Sequence, residues 1–416
     1  MMKKYLLLLL ICVTLAAFKS TDILAAQKEW KEMSPLPEGR SAAAVVTVNG
    51  KIYTIGGSAG GSESAKGTKR DTTYVYDPIQ NLWSIKAPMP TARAAVTAAV
   101  YNDEIYVIGG YYGTNNTRTN KVEVYNTKTD TWRTASPMSS ARSWASAVTV
   151  DNKIYVIGGH DNSKLLNTVE SFDVITQTWQ QKNNFPVATQ AKSVVYHKGN
   201  IYALGGSYPI ERDNGVYRLD LEKDTWVKTA VMPQSRNGSG AFLYQDQIYV
   251  VGGTTGINDN DVDNALDNIL VYNPQTNESS SFEKLSFARG QISSVVVNDE
   301  IYIIGGVTQS GIINTVEKYT IKDNSSSPTL PDDPSQEGER AILVITMLNG
   351  LEKEYDLPMS DITAFINWYD AKDTGIGPSR FAIDKYSNNK GPFIKRTDSV
   401  IFNNILTFEV SEYALD

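Results

Sequence analysis

The sequence predicts an all-β six-bladed β-propeller with a small α+β domain behind it, on three observations. The phrase Ile-Tyr-x-aliphatic-Gly-Gly recurs six times, ending at Gly57, Gly110, Gly159, Gly206, Gly253 and Gly306. The copies are 53, 49, 47, 47 and 53 residues apart, a period that suits one four-stranded blade per copy. An aromatic residue and a tryptophan follow most copies at fixed spacing, and after Ile321 the composition changes abruptly.

Each repeat can be read strand by strand. Small and β-branched residues (Ala42 to Val48, Ala145 to Val150, Ser293 to Val297) make strand one, and a polar turn such as Asn49-Gly50 leads to strand two. The Gly-Gly pair closes strand two, where a missing side chain lets backbones approach. Strand three carries Tyr76, Tyr125, Phe172, Tyr272 or Tyr319; strand four carries Trp83, Trp132, Trp179 or Trp226. In the first three repeats the tryptophan stands seven residues after the aromatic, which fits two strands joined by a tight turn, so both should pack in the core. Leu219 replaces the aromatic in the fourth repeat, and Phe282 is the nearest substitute for a tryptophan in the fifth.

The sixth repeat stops after its third strand, whereas Gln27 to Lys31, with Trp30, matches a fourth strand standing ahead of the first repeat. Pairing the two would close the ring and remove both free sheet edges. With the glycine pairs, the spaced Tyr and Trp and an arginine ahead of strand one, residues 27–321 resemble kelch repeats. That resemblance implies the fold and leaves the function open, because this scaffold serves many tasks.

The N-terminus reads as a secretory signal over residues 1–26. Lys3 and Lys4 precede an apolar run from Tyr5 to Phe18, and Leu24-Ala25-Ala26 offers a cleavage site. The apolar run falls short of the ~20 residues that span a bilayer, so the expectation is an exported chain, secreted or at the cell surface, with no membrane span after cleavage. The single cysteine, Cys12, lies in this segment, which leaves no disulfide or thiolate chemistry. Without residues 1–26 the count is 36 basic against 45 acidic residues, from 39 and 46, a net charge of −9 that disfavours nucleic acid.

Blade topology puts the two-to-three loops and the four-to-one connections on one face. Those loops are long and variable, and long loops on a rigid frame usually carry function. Arg40, Arg93, Arg142, Arg236 and Arg289 stand sixteen residues before the first glycine of their pairs; the fourth repeat has Thr189 there, with Lys192 nearby. Such a ring reads two ways, as a site for a carboxylate, phosphate or acidic sugar, or as a set of caps on backbone carbonyls between blades. Trp144, Tyr111, Tyr112 and Tyr208 fall on the same face and could stack on a ligand. The expected partner is an extracellular protein or glycan, an anionic one if the arginines bind it.

Catalysis has few carriers. Propellers similar to galactose oxidase need two histidines and a cysteine at one copper, whereas His160 and His197 fall on opposite faces here. Exported sialic-acid mutarotases are also six-bladed kelch propellers, and that resemblance makes a metal-free carbohydrate enzyme the alternative, with Glu211 and Arg212 as acid-base candidates. Asp259, Asp261 and Asp263 resemble the start of a calcium loop, but Asn264 stands at its glycine position and Leu270 at its bidentate glutamate position. No cofactor is implied, and the expected function is binding.

Residues 322–339, rich in Ser, Pro and Asp, read as a tether. Residues 340–416 then give a hairpin (Ala341 to Met347, Asn349-Gly350, Leu351 to Leu357), a helix from an N-cap at Ser360 through Ala371, and strands at Phe381 to Lys385, Phe393 to Arg396, Val400 to Phe402 and Ile405 to Val410. Docking to a cell surface is the expectation for this domain.

Overall fold

The computed structural model describes residues 30–61, 66–208, 213–256, 264–321, 340–347, 352–373, 380–385, 396–402 and 405–413. Two compact units emerge, Met1–Ile321 and Lys322–Asp416. The signal segment 1–26, the tether 322–339, Glu211, Arg212, Asp259, Asp261 and Asp263 lie outside the described residues.

Strands are the dominant regular structure in the described part of the first unit, in six four-stranded antiparallel sheets and three short two-stranded ribbons. The first sheet runs Ala44–Val48, Lys51–Ile55, Thr73–Asp77, Leu82–Lys86, and the next four repeat that order. In the sixth, Ser293–Val297, Glu300–Ile304 and Val316–Thr320 are completed by Lys31–Glu32, whose residues pair with Lys318 and Glu317. First strands of successive sheets lie side by side, and that of the sixth lies beside that of the first. Five of them, all but that of the fourth sheet, line a central cavity of about 410 Å³ walled by residues such as Val46, Ala99, Val148 and Val295.

Burial is greatest at strand two and falls to the rim at strand four, and the sequence follows it. Strand two is flanked by strands one and three and packed on both faces by neighbouring sheets, so Ile52, Tyr53, Thr54 and Ile55 are all buried. That is why this strand reads as a continuous apolar run rather than an alternating one. Each fully buried Ile or Val there contributes roughly 1.5–3 kcal/mol. Strand four, at the rim, is mostly exposed; in the first sheet Leu82 and Ile85 are 60% and 71% accessible.

Two devices join neighbouring sheets. The strand-four tryptophans pack on the strand-three aromatics, with ring centroids 5.0 Å apart for Tyr76 and Trp83, 5.2 Å for Tyr125 and Trp132, and 4.9 Å for Phe172 and Trp179. Their indole N–H groups reach out of their own sheet, Trp83 to Ser34 O, Trp132 to Ala87 O and Trp179 to Ser136 O. Trp30 repeats the pattern in the sixth sheet, 5.3 Å from Tyr319 and bonded to Lys284 O. The second device is the glycine pair. Its second N–H donates to the carbonyl of the arginine position in the next repeat: Gly57 to Arg93, Gly110 to Arg142, Gly159 to Thr189, Gly206 to Arg236, Gly253 to Arg289 and Gly306 to Arg40. The first glycine must be a glycine twice over: at Gly56 φ is 66° and an added Cβ would lie 2.8 Å from Arg93 O.

Some boundaries differ from the sequence reading. Strand one of the first sheet begins at Ala44 because Ala42 sits at φ 51°, which breaks the extended run. Phe282 does not take the tryptophan register, since Ser279 pairs with Tyr272; its ring packs on Tyr249 and Tyr319 instead.

The second unit holds a three-stranded sheet of Glu352–Pro358, Arg340–Met347 and Ile405–Tyr413, a helix Met359–Asp373 and a two-stranded ribbon Arg380–Lys385 with Arg396–Ile401. The helix lays Ile362, Phe365 and Trp368 on Ala341, Leu343 and Ile345. It starts at Met359, so Ser360 lies in the first turn rather than at the cap, and Phe393 falls outside the described residues. The turn Asn349-Gly350 does too.

Candidate functional site

The recurring arginines come first, because the structure decides between their two readings. Arg40, Arg93, Arg142, Arg236 and Arg289 are all at most 2% accessible. Four of them donate to the carbonyl of the first glycine sixteen residues on: Arg93 to Gly109, Arg142 to Gly158, Arg236 to Gly252 and Arg289 to Gly305. Three also pair with a glutamate on strand three of their own sheet, Arg93 with Glu123, Arg142 with Glu170 and Arg289 with Glu317. Arg40 turns instead to Glu38 at 2.6 Å and to Thr72, and Glu38 is shared with Arg70. Those two guanidinium groups hold the Glu38 carboxyl down at about 2. In the fifth sheet Leu270 stands at the position of those three glutamates, and Arg236 bonds Asn268. The expected ring of ligand-binding guanidiniums is therefore corrected. These groups are buried and engaged within the sheets, because an interior cation needs carbonyl or carboxylate partners. The three glutamates went unread in the sequence, although Val-Glu-x-aromatic recurs at 122–125, 169–172 and 316–319.

The fourth repeat divides the arginine's work between two residues. Thr189 keeps the backbone contact to Gly159, and the Lys192 ammonium reaches Gly205 O and Asp213, the latter at 2.7 Å. Phe185, Tyr217 and Tyr208 surround the ammonium at 4.8, 5.0 and 5.7 Å from their ring centroids. Desolvation pushes the Lys192 pKa down to about 8 against the pull of Asp213, with Lys228 adding to the depression. In the unfolded chain it titrates near 10.5, so between about pH 8 and 10.5 the unfolded state holds more protons and stability rises with pH. Wild type should gain more thermal stability between pH 8 and 10 than Lys192→Arg, which stays charged. Equal slopes in the two proteins would refute the depressed lysine.

Two residues after each arginine position the backbone turns left-handed. Ala42, Ala95, Trp144, Ala191, Gly238 and Gln291 have φ between 48° and 59°. Their main chains form a girdle around the axis: Ala95 N to Ala42 O, Trp144 N to Ala95 O, Ala191 N to Trp144 O and Gly238 N to Ala191 O, at 2.8–3.4 Å. All six line one small cavity of about 120 Å³ at the channel mouth. Four of them are alanine or glycine with little or no side chain, so only Trp144 and Gln291 put bulk there. They stand three places apart in the cycle of six. A tryptophan at φ 54° is costly, of order 1–3 kcal/mol, and such strain persists where surrounding structure over-determines it.

The other stacking candidates separate. Tyr111 is buried, packed with Ala42, Ala94 and Ala95, and Trp144 leans on that cluster. Tyr111 is therefore core rather than contact surface. Tyr112 is 40% accessible and available to a partner. Tyr208 bonds the Tyr217 hydroxyl at 2.8 Å over Lys192, so its hydroxyl is engaged. His160 bridges Ser143 beside the girdle, whereas His197 ends a strand one at the far turns. Among the described residues no three His, Cys, Asp or Glu side chains group as metal ligands.

The KLHDC2/KLHL20/DRC7 Kelch-repeats domain model matches residues 42–253 and 95–306, and the Kelch motif model matches 288–328. Kelch repeat and BTB domain-containing protein 12 of Homo sapiens is 42% identical over 84 residues, 20% of this chain and 14% of that protein. Beta-scruin of Limulus polyphemus is 32% identical over 83 residues, 20% of this chain and 9% of its own length. The chain thus spans only a small part of these curated relatives. The solved structure of YjhT superposes with a TM-score of 0.60 at 21% identity, over 70% of this chain and 98% of that one, a likeness of fold.

Proposed function

We propose, from the premise that this chain belongs to the kelch-repeat family, that it is a non-catalytic scaffold that binds a partner protein on its loop-rich face. The six sheets are read as a closed six-bladed propeller, supported by the bond from Gly306 N to Arg40 O and by the strand Lys31–Glu32 on the sixth sheet. Rigidity is what the girdle contributes, and Trp144 is what it presents. The carrying observation is that this tryptophan holds a left-handed backbone at the channel mouth, at a position filled by alanine or glycine in four of the six repeats. Aromatic anchors fixed before contact lose little entropy on binding, and such residues dominate interfaces.

The basic and apolar segment from Lys3 to Ala26 supports an extracytoplasmic place of action, and no helix among the described residues is long and apolar enough to cross a membrane. A peptide-display library selected on the full chain tests the binding face. Selected peptides should lose about 2 kcal/mol, roughly thirtyfold in affinity, against Trp144→Ala. They should be indifferent to Ile79→Ser in a turn of the opposite face. Peptides that bind both variants alike would refute the reading.

A further inference from the structure

The loop-rich face carries a second concavity, away from the girdle. Between the fifth and sixth sheets lies a cleft of about 500 Å³, lined by Phe287, Ala288, Thr308, Gln309, Ser310 and Ile313 among others. Its volume is within the range of small-molecule sites. None of its described lining residues is ionisable.

One wall is a single aromatic ring held in place. Phe287 is half-buried, and the Arg289 guanidinium sits 4.3 Å from its ring centroid. Arg289 itself pairs with Glu317 and bonds Gly305 O, so the ring rests on a buried ion pair. The repeat supplies its own control. Two residues before the arginine position stand Glu38, Thr91, Ser140, Val187, Gln234 and Phe287, so one repeat of six has an aromatic there.

The cleft is also lined by Thr308, Gln309 and Ser310, at the turn of the ribbon Val307–Thr308 with Gly311–Ile312. The Thr308 hydroxyl is used within its turn, accepting from Ser310 N and donating to Gly311 O. The Gln309 amide and the Ser310 hydroxyl are exposed and make no hydrogen bond to the described residues. Together they offer donors and acceptors of both kinds.

We propose that this cleft binds a neutral hexopyranose unit, with the apolar C–H face of the sugar on Phe287 and its hydroxyls on Gln309 and Ser310. An aromatic ring and amide and hydroxyl groups lining one cleft suit a ring that is apolar on its faces and polar at its edge. Among the described residues no cation lines the cleft, so they give an acidic sugar no counter-charge. This site is separate from the Trp144 mouth and stands whether or not a protein binds there.

Saturation-transfer NMR on the full chain, with the methyl glycosides of glucose, galactose, mannose and N-acetylglucosamine and with methyl glucuronide, tests it. At least one neutral glycoside should receive transfer, and it should bind more tightly than the glucuronide. Phe287→Ala should weaken it about tenfold. Gln309→Ala, on an exposed turn where folding is not at stake, should weaken it severalfold, and Trp144→Ala should leave it unchanged. No transfer to any neutral glycoside overturns the proposal, as does transfer that survives both Phe287→Ala and Gln309→Ala. Displacement of the glycoside by a neutral Ser/Thr-rich peptide that binds more tightly would also overturn it, in favour of a peptide groove.

Discussion

Glu170→Ala should destabilise the first unit by about 3–5 kcal/mol, because it strands a cation in the interior. Arg142 and Glu170 are 0% and 2% accessible, and Glu170 also accepts from Ser139 N. Removing the carboxylate leaves the guanidinium desolvated with only neutral partners, and burial already presses its pKa downward. Urea unfolding followed by tryptophan fluorescence measures the loss. Glu104→Ala breaks the exposed pair with Arg133 and should cost within about 1 kcal/mol. Arg142→Met with Glu170→Leu should recover much of the single-variant loss, since both charges leave together. Equal effects of Glu170→Ala and Glu104→Ala would show that the buried pairs are not what holds strand three to the glycine turn.

Trp30→Ala should cost about 2–4 kcal/mol, comparable with Trp132→Ala in the second sheet. Both rings pack on a strand-three tyrosine, at 5.3 and 5.2 Å, and both indoles donate to a carbonyl beyond their own sheet. Trp30 differs in sequence distance: its partners Tyr319 and Lys284 lie at the far end of the repeat array. Its loss therefore weakens the seam where the first segment meets the last sheet, and thermal denaturation reads the effect. A change under about 0.5 kcal/mol would mean that the sixth sheet holds together without this segment.

The repeat was legible because each copy carries its own strand pattern. A central strand packed on both faces must be apolar at every position, so Ile-Tyr-x-aliphatic appears six times. The glycine pair is equally local: positive φ and a carbonyl at contact distance admit nothing larger. The aromatic and tryptophan spacing followed from a tight turn between neighbouring strands, and Tyr125 does face Trp132 in register. Where the copies degenerate, the same logic weakened: the fifth repeat offered only Phe282 as the nearest stand-in for a tryptophan, and Ser279 occupies the register opposite Tyr272.

The candidate site was legible only as a face. Arginine at the mouth of strand one looks the same in sequence whether it meets a ligand or an internal glutamate, and Glu123 stands thirty residues from Arg93. The girdle gave less signal still, because Ala42, Ala95, Trp144, Ala191, Gly238 and Gln291 share a backbone conformation and no side-chain type.

Taken alone, the amino-acid sequence determined the six-fold strand repeat, the glycine turns and the division near Ile321, since each depends on residues close together along the chain. Tertiary structure decided that the arginines are engaged inside their sheets, that Lys192 and Asp213 replace one of them, and that Trp144 rather than Tyr111 stands at the channel mouth. The physical reason is that burial and hydrogen-bond partners are set by what folding brings alongside a side chain, and a spacing within one repeat does not contain that information.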